Sequence, residues 1–338
     1  MKGLLYCMIT NTNVTICTVS SFDHLLLNIN LALIRRLNPK FHFSCVVAIN
    51  TPAQAGGEQG QLDPECRVVT GFHQTTDLLA QLYNIENRPN GHPLRNVYHA
   101  SGLIQAVCAS KTRYILVLDP DFYVVRLNWI SECLDYMTER NLTFFGAPYH
   151  PRTDPLKVRY FPTVYCLFID TAKVKIADLS FDPPSHPDQT RIYTQNLPLR
   201  TRYFHKSFEL FDLVSRPMWP RHLVGYYGDT GFSLMKFYEN RPGILYECVS
   251  PVFRAEEHFG VVSRLLDSIL PDKYSLTPKR SGYCSREGFK ELGLGEPPNH
   301  SCEEFVWRGF PFGFHLRSSI RSNRGVNVSA LKKFLESI

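Results

Sequence analysis

The sequence predicts an α/β fold in which helices cover both faces of a doubly wound, mostly parallel sheet. Strand and helix patterns alternate through the first half of the chain, an order that implies parallel strands joined by helices. One strand pattern, Phe41–Ile49, is mostly apolar, as is typical of a strand buried on both faces. The chain has 338 residues, of which 44% are hydrophobic and 20% charged, and this is enough for one large domain of this class.

The elements of the first half follow one another in clear order. Thr15–Val19 is rich in β-branched residues and predicts the first strand. Leu26–Leu37 has apolar residues at helical spacing and predicts a helix, with candidate N-caps in Ser20–Asp23 and a stop at Asn38-Pro39. Later strands are predicted at Phe41–Ile49, Arg67–Thr70 and Tyr114–Leu118, and later helices at Thr75–Ile85 and Tyr98–Ala109.

The second half of the chain is less regular. Its Pro-rich segments predict loops at Pro148–Pro162 and Phe181–Arg202, and the region Thr277–Pro311 is punctuated by Gly and Pro. Helical patterns return at Asp229–Tyr238, Phe259–Ile269 and Ser329–Ser337. Nothing in these patterns requires a second, separate domain.

Charge and composition limit the partners of the protein. The net charge of +6 suits an anionic substrate such as a nucleotide diphosphate, but its scatter along the chain excludes a nucleic-acid stripe. The sequence predicts no transmembrane segment and no signal peptide. The ten cysteines contain no CxxC pair, which argues against a zinc ribbon and for a reduced, cytoplasmic setting, with attachment to the inner surface of a membrane as an option.

The strongest chemical signal is a pair of carboxylates after an apolar strand. Asp119 and Asp121 follow Tyr114–Leu118, and ligands of open α/β sheets bind beyond the carboxyl ends of such strands. Two close carboxylates repel each other unless a cation neutralises them. Mg²⁺ typically takes one or two protein carboxylates and completes its shell with water and phosphate oxygens. The pair therefore predicts a metal–diphosphate site, and the alternative is a turn in which one Asp caps the next segment.

Asp119-Pro120-Asp121 and its surroundings resemble the DxD motif of GT-A glycosyltransferases, in particular of family 2. The resemblance covers residues 10–130 and implies a GT-A fold that moves a sugar, as a hexosyltransferase does, from a nucleotide-diphosphate sugar to an acceptor hydroxyl. It implies Mn²⁺ or Mg²⁺ as cofactor and favours a UDP-sugar as donor. Residues 1–125 would bind the nucleotide sugar. Residues 126–338 of the same domain would bind the acceptor, which is a glycan, a lipid-linked molecule or a small molecule.

The resemblance also assigns donor-side residues. Thr18 and Ser20 match the first strand and its loop, which hold the nucleotide base in that family. Asn50 stands where the second strand ends near the nucleoside. Arg95 or His99, in or before the helix that precedes the DxD strand, would approach the diphosphate.

Two local matches extend the resemblance into the second half. Asp229, within Gly225–Gly231, matches the general base of inverting members, which takes the proton of the acceptor hydroxyl; as an alternative it caps the helix that follows. His315, within Gly313–Arg317, matches a C-terminal metal ligand and would favour Mn²⁺, or else it is simply packed among aromatic residues. Arg317 would pair with phosphate oxygens, or lie solvated at the surface.

Two other functions stay open at the level of sequence. A haloacid-dehalogenase-like phosphatase would use Asp119 as its nucleophile and Asp121 beside it. Its motif normally lies near the N-terminus and continues with small or hydroxyl residues, whereas Phe122-Tyr123 follow here. A catalytically inactive GT-A-like module that binds sugar nucleotides is the second alternative.

Overall fold

A computed structural model of the protein describes residues 13–20, 24–49, 61–69, 92–149, 161–183, 230–251, 302–308, 310–316, 331–332 and 335–336. The strands are β1 (Val14–Ser20), β2 (Ser44–Ile49), β3 (Cys66–Val69), β4 (Tyr114–Leu118), β5 (Phe122–Val124), β6 (Phe144–Gly146), β7 (Cys166–Asp170), β8 (Tyr246–Cys248), β9 (Ser250–Pro251), β10 (Cys302–Trp307) and β11 (Phe310–Leu316). The helices are α1 (Leu25–Leu37), α2 (His92–Ala109), α3 (Trp129–Glu139) and α4 (Phe232–Tyr238), with a 3-10 turn at Ile176–Asp178.

The described residues form a main sheet of seven strands in the order β3-β2-β1-β4-β7-β6-β8. Strand β7 runs antiparallel to its neighbours β4 and β6, and the other strands of this sheet share one direction. The predicted α/β class, with a mostly parallel sheet, is confirmed by this order. The strand order turns back between β1 and β4, which are direct neighbours.

Helices lie on both faces of the main sheet, so the predicted double winding is also confirmed. Alternate residues of β1 point to opposite faces, because side chains of a strand alternate. Val14 and Ile16 pack in the same core cluster as α1 and α3, whereas Cys17 and Val19 pack in the cluster of α2 and α4. None of the helices in the described part of the chain is long and apolar enough to cross a membrane.

A second, antiparallel sheet has the order β5-β11-β10-β9. Strands β10 and β11 form a hairpin in which Trp307 pairs with Phe310, and Arg308 in its two-residue turn has φ 53°. This hairpin begins inside the Gly- and Pro-punctuated region Thr277–Pro311, where no strand was predicted. A Cβ at Gly313 would lie 2.5 Å from the carbonyl oxygen of Tyr123, so β11 approaches β5 too closely for any other residue.

Some predicted boundaries differ from the observed ones. Ser20 is the last residue of β1, so it is not the N-cap of α1, and His24 holds that position without a side-chain capping bond. Helix α2 begins six residues before the predicted Tyr98. Strands β5 to β11 and helix α3 were not predicted. The helices predicted at Thr75–Ile85 and Phe259–Ile269 lie outside the described residues, as do Ser21 and Asp23.

Candidate functional site

The segment Asp119-Pro120-Asp121 links the two sheets. Strand β4 of the main sheet ends at Leu118, and β5 of the second sheet begins at Phe122. The Asp119 N–H donates to the Tyr165 carbonyl at 3.0 Å, and the Phe122 N–H donates to the Asp119 carbonyl at 3.1 Å. The backbone thus turns at this point, and both carboxylates stand beyond the carboxyl end of β4, where ligands of open α/β sheets bind.

Strand β11 brings His315 to the same place. It pairs antiparallel with β5, with His315 opposite Phe122 in the register, and the Leu316 N–H donates to the Asp121 carbonyl at 2.8 Å. His315 Nε2 lies 3.4 Å from Asp121 Oδ1 and 4.0 Å from Asp119 Oδ2. One ligand atom from each of these three side chains can be chosen so that all lie within 4.8 Å of one another.

The surroundings of His315 fix its position and its charge. Its ring stacks on Tyr165 with centroids 4.1 Å apart, and its Nδ1 lies 2.8 Å from Glu303 Oε2. Burial alone would lower the pKa of His315, but Asp121 and Glu303 outweigh burial and raise that pKa to about 10. Without a metal, both ring nitrogens are therefore protonated at neutral pH, and each faces a carboxylate.

This group of side chains fits a divalent metal ion. Asp119, Asp121 and His315 are all buried, with exposed fractions of 7%, 2% and 6%. Buried carboxylates in close contact need a positive charge between them, which a proton on His315 or a metal ion supplies. Two carboxylates and one imidazole suit Mn²⁺ better than Mg²⁺. Among the residues that the structure describes, this is the only group of three or more potential ligands.

His99 extends the site towards the second half of the chain. It lies on α2, with its Nε2 3.3 Å from Asp119 Oδ1 and its Nδ1 3.3 Å from Thr230 Oγ1. The Tyr149 hydroxyl donates to the Thr230 carbonyl at 3.4 Å. His99 thus lies beside Asp119 and connects the segment Asp119-Pro120-Asp121 to Thr230. Its predicted approach to a diphosphate stays a prediction.

Two other predicted site residues, Thr18 and Ser20, lie on β1. Ser20, at the end of β1, is buried, and its Oγ lies 2.7 Å from His24 Nδ1. Thr18 lies inside β1 and is fully buried. Arg95 lies in the first turns of α2. Asn50, Asp229 and Arg317 lie outside the described residues, and their predicted roles stay predictions.

Two buried polar residues that contact the site were not predicted from the sequence. Asn30 lies on the apolar side of α1, near Leu27 and Leu31, and Glu303 lies on β10 in alternation with the buried Phe305. A polar residue at a position where the periodicity demands an apolar one is the signal that marks both. For Asn30 the helical pattern was visible in the sequence. For Glu303 the strand itself was not recognised.

Comparison with known proteins gives a faint similarity at the level of structure. No protein family matches the chain, and no curated protein does. S. aureus TarS 1-349 is 13% identical, with a TM-score of 0.31 over 53% of this chain and 57% of that one. The mannosyltransferase PcManGT from Pyrobaculum calidifontis, in complex with GDP-Man and Mn²⁺, is 11% identical, with a TM-score of 0.31 over 51% and 48%. Mouse xyloside xylosyltransferase 1, in its apo form, is 11% identical, with a TM-score of 0.37 over 77% and 93%.

The chain spans about half the length of the first two of these proteins. Two of the three are glycosyltransferases by name. At this level of similarity, the strand order and the geometry of the site carry the description of this protein.

Proposed function

We propose that this chain is a metal-dependent glycosyltransferase that moves a sugar from a nucleotide-diphosphate sugar to an acceptor hydroxyl. The observation that carries the proposal is the convergence of Asp119 and Asp121, from the link between the two sheets, with His315 of β11, beyond the carboxyl end of β4. Two buried carboxylates beside one another are costly unless a positive charge lies between them, and a bound divalent cation would supply that charge.

The strand order supports a nucleotide site at the same edge of the sheet. Open α/β sheets bind nucleotides in the crevice where the strand order turns back, and here that point lies between β1 and β4. Ser20 ends β1 and Asp119 follows β4, so the two predicted donor residues flank this crevice. We assign the base to the β1 side, with Thr18, Ser20 and Asn50, and the diphosphate to the β4 side.

Three side chains would hold the metal, namely Asp119, Asp121 and His315. When bound, Mn²⁺ would supply Lewis-acid stabilisation of the charge that develops on the leaving nucleotide. His99 lies 3.3 Å from Asp119, where it can donate a hydrogen bond to a phosphate oxygen or hold the Asp119 carboxylate in place. Arg95 and Arg317 are assigned to the same diphosphate.

For the acceptor side we propose Asp229 as the general base. The acceptor hydroxyl must lose a proton as it attacks the anomeric carbon, and a carboxylate can take it. Asp229 directly precedes Thr230, whose hydroxyl lies 3.3 Å from His99. Asp229 is therefore adjacent in sequence to a residue that contacts His99. With this base, the product has inverted stereochemistry at the anomeric carbon, and residues 126–338 bind a glycan, lipid-linked or small-molecule acceptor.

Release of nucleotide tests the proposal. UDP-hexoses and GDP-mannose are incubated with the protein and a mixture of glycan, lipid-linked and small hydroxyl acceptors, in Mn²⁺ or in EDTA. We expect release of UDP or GDP that needs both Mn²⁺ and Asp121, so that Asp121→Ala is inactive. The control Asp135→Ala alters an exposed carboxylate on α3 and stays active.

Other outcomes of this assay would replace the proposal. Hydrolysis of p-nitrophenyl phosphate that depends on Asp119, without release of nucleotide, identifies a phosphatase. Mn²⁺-dependent binding of nucleotide without release from any donor identifies an inactive sugar-nucleotide-binding module.

A further inference from the structure

The carboxylate of Glu303 faces one nitrogen of His315, and the other nitrogen of His315 faces Asp121. Glu303 is on β10 and pairs with His315 of β11 in the antiparallel register. Its Oε2 lies 2.8 Å from His315 Nδ1, and its side chain is fully buried. A fully buried carboxylate is costly, so we expect its charge to have a role.

The two nitrogens of His315 face different partners. Nδ1 points to Glu303, whereas Nε2 lies 3.4 Å from Asp121 Oδ1. A neutral imidazole carries a proton on one nitrogen and a lone pair on the other, and only the nitrogen with the lone pair binds a metal. A carboxylate that accepts the Nδ1 proton therefore leaves the Nε2 lone pair directed at Asp119 and Asp121.

Stacking alone would not decide this orientation. The ring centroids of Tyr165 and His315 lie 4.1 Å apart, and the two ring planes make an angle of 25°. This stacking restricts the plane of the His315 ring. A half-turn of the imidazole about its Cβ–Cγ bond would keep the ring in the same plane and exchange the positions of its nitrogens and ring carbons. The contact with Glu303 distinguishes the two orientations, since only one of them places an N–H against the carboxylate.

We propose that Glu303 is a positioning residue for the metal site: it holds the Nδ1 proton of His315 and so presents Nε2 to a divalent cation between Asp119 and Asp121. The inference rests on the proposed function in that the cation is the one that binds the donor diphosphate. Glu303 itself would not contact the metal. Second carboxylates of this kind raise the metal affinity of a histidine site by roughly 10-fold to 100-fold.

Binding of Mn²⁺ alone tests the inference without any nucleotide. Metal-free protein is titrated with Mn²⁺ by electron paramagnetic resonance, and electron spin echo modulation reports whether an imidazole nitrogen is bound to the ion. The variants are Glu303→Gln, which keeps an oxygen acceptor without charge, and Glu303→Leu, which keeps neither. Glu139→Gln, an exposed carboxylate at the end of α3, is the matched control.

We expect nitrogen modulation in the native protein and in Glu139→Gln, with the same affinity for Mn²⁺. In Glu303→Gln the modulation stays, but affinity falls about 10-fold, and in Glu303→Leu affinity falls about 100-fold and the modulation is lost. Unchanged affinity and modulation in a folded Glu303→Leu would overturn the inference. If circular dichroism shows that this variant is unfolded, unchanged affinity in Glu303→Gln overturns it instead.

The result is separable from the proposed function. Mn²⁺ bound without nitrogen modulation in the native protein removes His315 as a ligand and overturns the inference, while nucleotide release can still succeed. The expected Mn²⁺ results combined with no nucleotide binding would refute the glycosyltransferase and leave Glu303 in its role.

Discussion

The side-chain amide of Asn30 donates a 2.7 Å hydrogen bond to the carbonyl oxygen of Phe122. The same amide lies 3.3 Å from the carbonyl oxygen of Pro120, so one buried side chain on α1 holds the backbone on both sides of Asp121. Because the DxD segment joins two sheets, this contact fixes one helix of the main sheet to the link between them.

We expect replacement of Asn30 to make the segment Asp119-Pro120-Asp121 more mobile. In Asn30→Ala the Phe122 carbonyl loses a buried donor, and we expect the free energy of unfolding to fall by about 1–3 kcal/mol. Mn²⁺ affinity should also fall, because Asp121 is no longer held. Urea unfolding and Mn²⁺ titration measure the two effects. Asn28→Ala, on the same helix, removes an exposed bond to the Gln61 carbonyl and should leave Mn²⁺ affinity unchanged. Equal Mn²⁺ affinity in both variants would contradict this role.

Gly313 provides a second, independent way to move the site. A methyl group there would lie 2.5 Å from the Tyr123 carbonyl oxygen, so Gly313→Ala must push β11 away from β5 and displace His315 two residues along. Overpacking of this kind typically costs about 1–3 kcal/mol of folding free energy. We expect a stability loss of that size together with weaker Mn²⁺ binding.

The control for this prediction is Gly243→Ala. Gly243 has φ 81°, and a Cβ there would meet no other atom within 4 Å. Its replacement costs about 1–2 kcal/mol through backbone strain alone, without moving β11. Calorimetric Tm values should show a similar loss of stability in the two variants. Mn²⁺ affinity should fall only in Gly313→Ala. A Gly313→Ala protein with native Mn²⁺ affinity would show that the closeness of β5 and β11 does not position His315.

The pH dependence of stability should report the charge on His315. Its pKa is raised from 6.5 in the unfolded chain to about 10 in the folded, metal-free protein. A raised pKa means that the folded state binds the proton more tightly. The corresponding stability is therefore fully present below pH 6.5 and is lost as pH rises to about 10. In urea unfolding with EDTA, the free energy of unfolding should fall over this range.

The variant His315→Gln separates this contribution from other titrating groups. It should lack the fall between pH 6.5 and about 10 that the native protein shows. Excess Mn²⁺ should flatten the native profile as well, because a bound metal replaces the proton on His315. An identical pH profile for the native protein and His315→Gln would show that His315 is not protonated in the folded state.

The sequence allowed the prediction of what is local in this protein. Strand β4 was predicted with its observed bounds, and Asp119 and Asp121 follow it because an apolar run must end before charged residues. The double winding of the sheet followed from the alternation of strands and helices. These features depend on residues that are close together in the chain.

The features that could not be predicted from the sequence depend on contacts between segments that are distant in the chain. Nothing near Phe122 in the sequence indicates that β5 leaves the main sheet to pair with β11, because that pairing is decided by tertiary packing. His315 entered the prediction only through resemblance to a family. Asn30 and Glu303 could not be assigned a role before their partners, the Phe122 carbonyl and His315 Nδ1, were known.

Calorimetric titration of UDP, and then of GDP, into the protein with and without Mn²⁺ tests the central claim most directly. The account predicts that one nucleotide binds only when Mn²⁺ is present, that Asp121→Ala abolishes this binding, and that Asp135→Ala does not. Failure of both nucleotides to bind in Mn²⁺, or binding that is the same without metal and in Asp121→Ala, would contradict it.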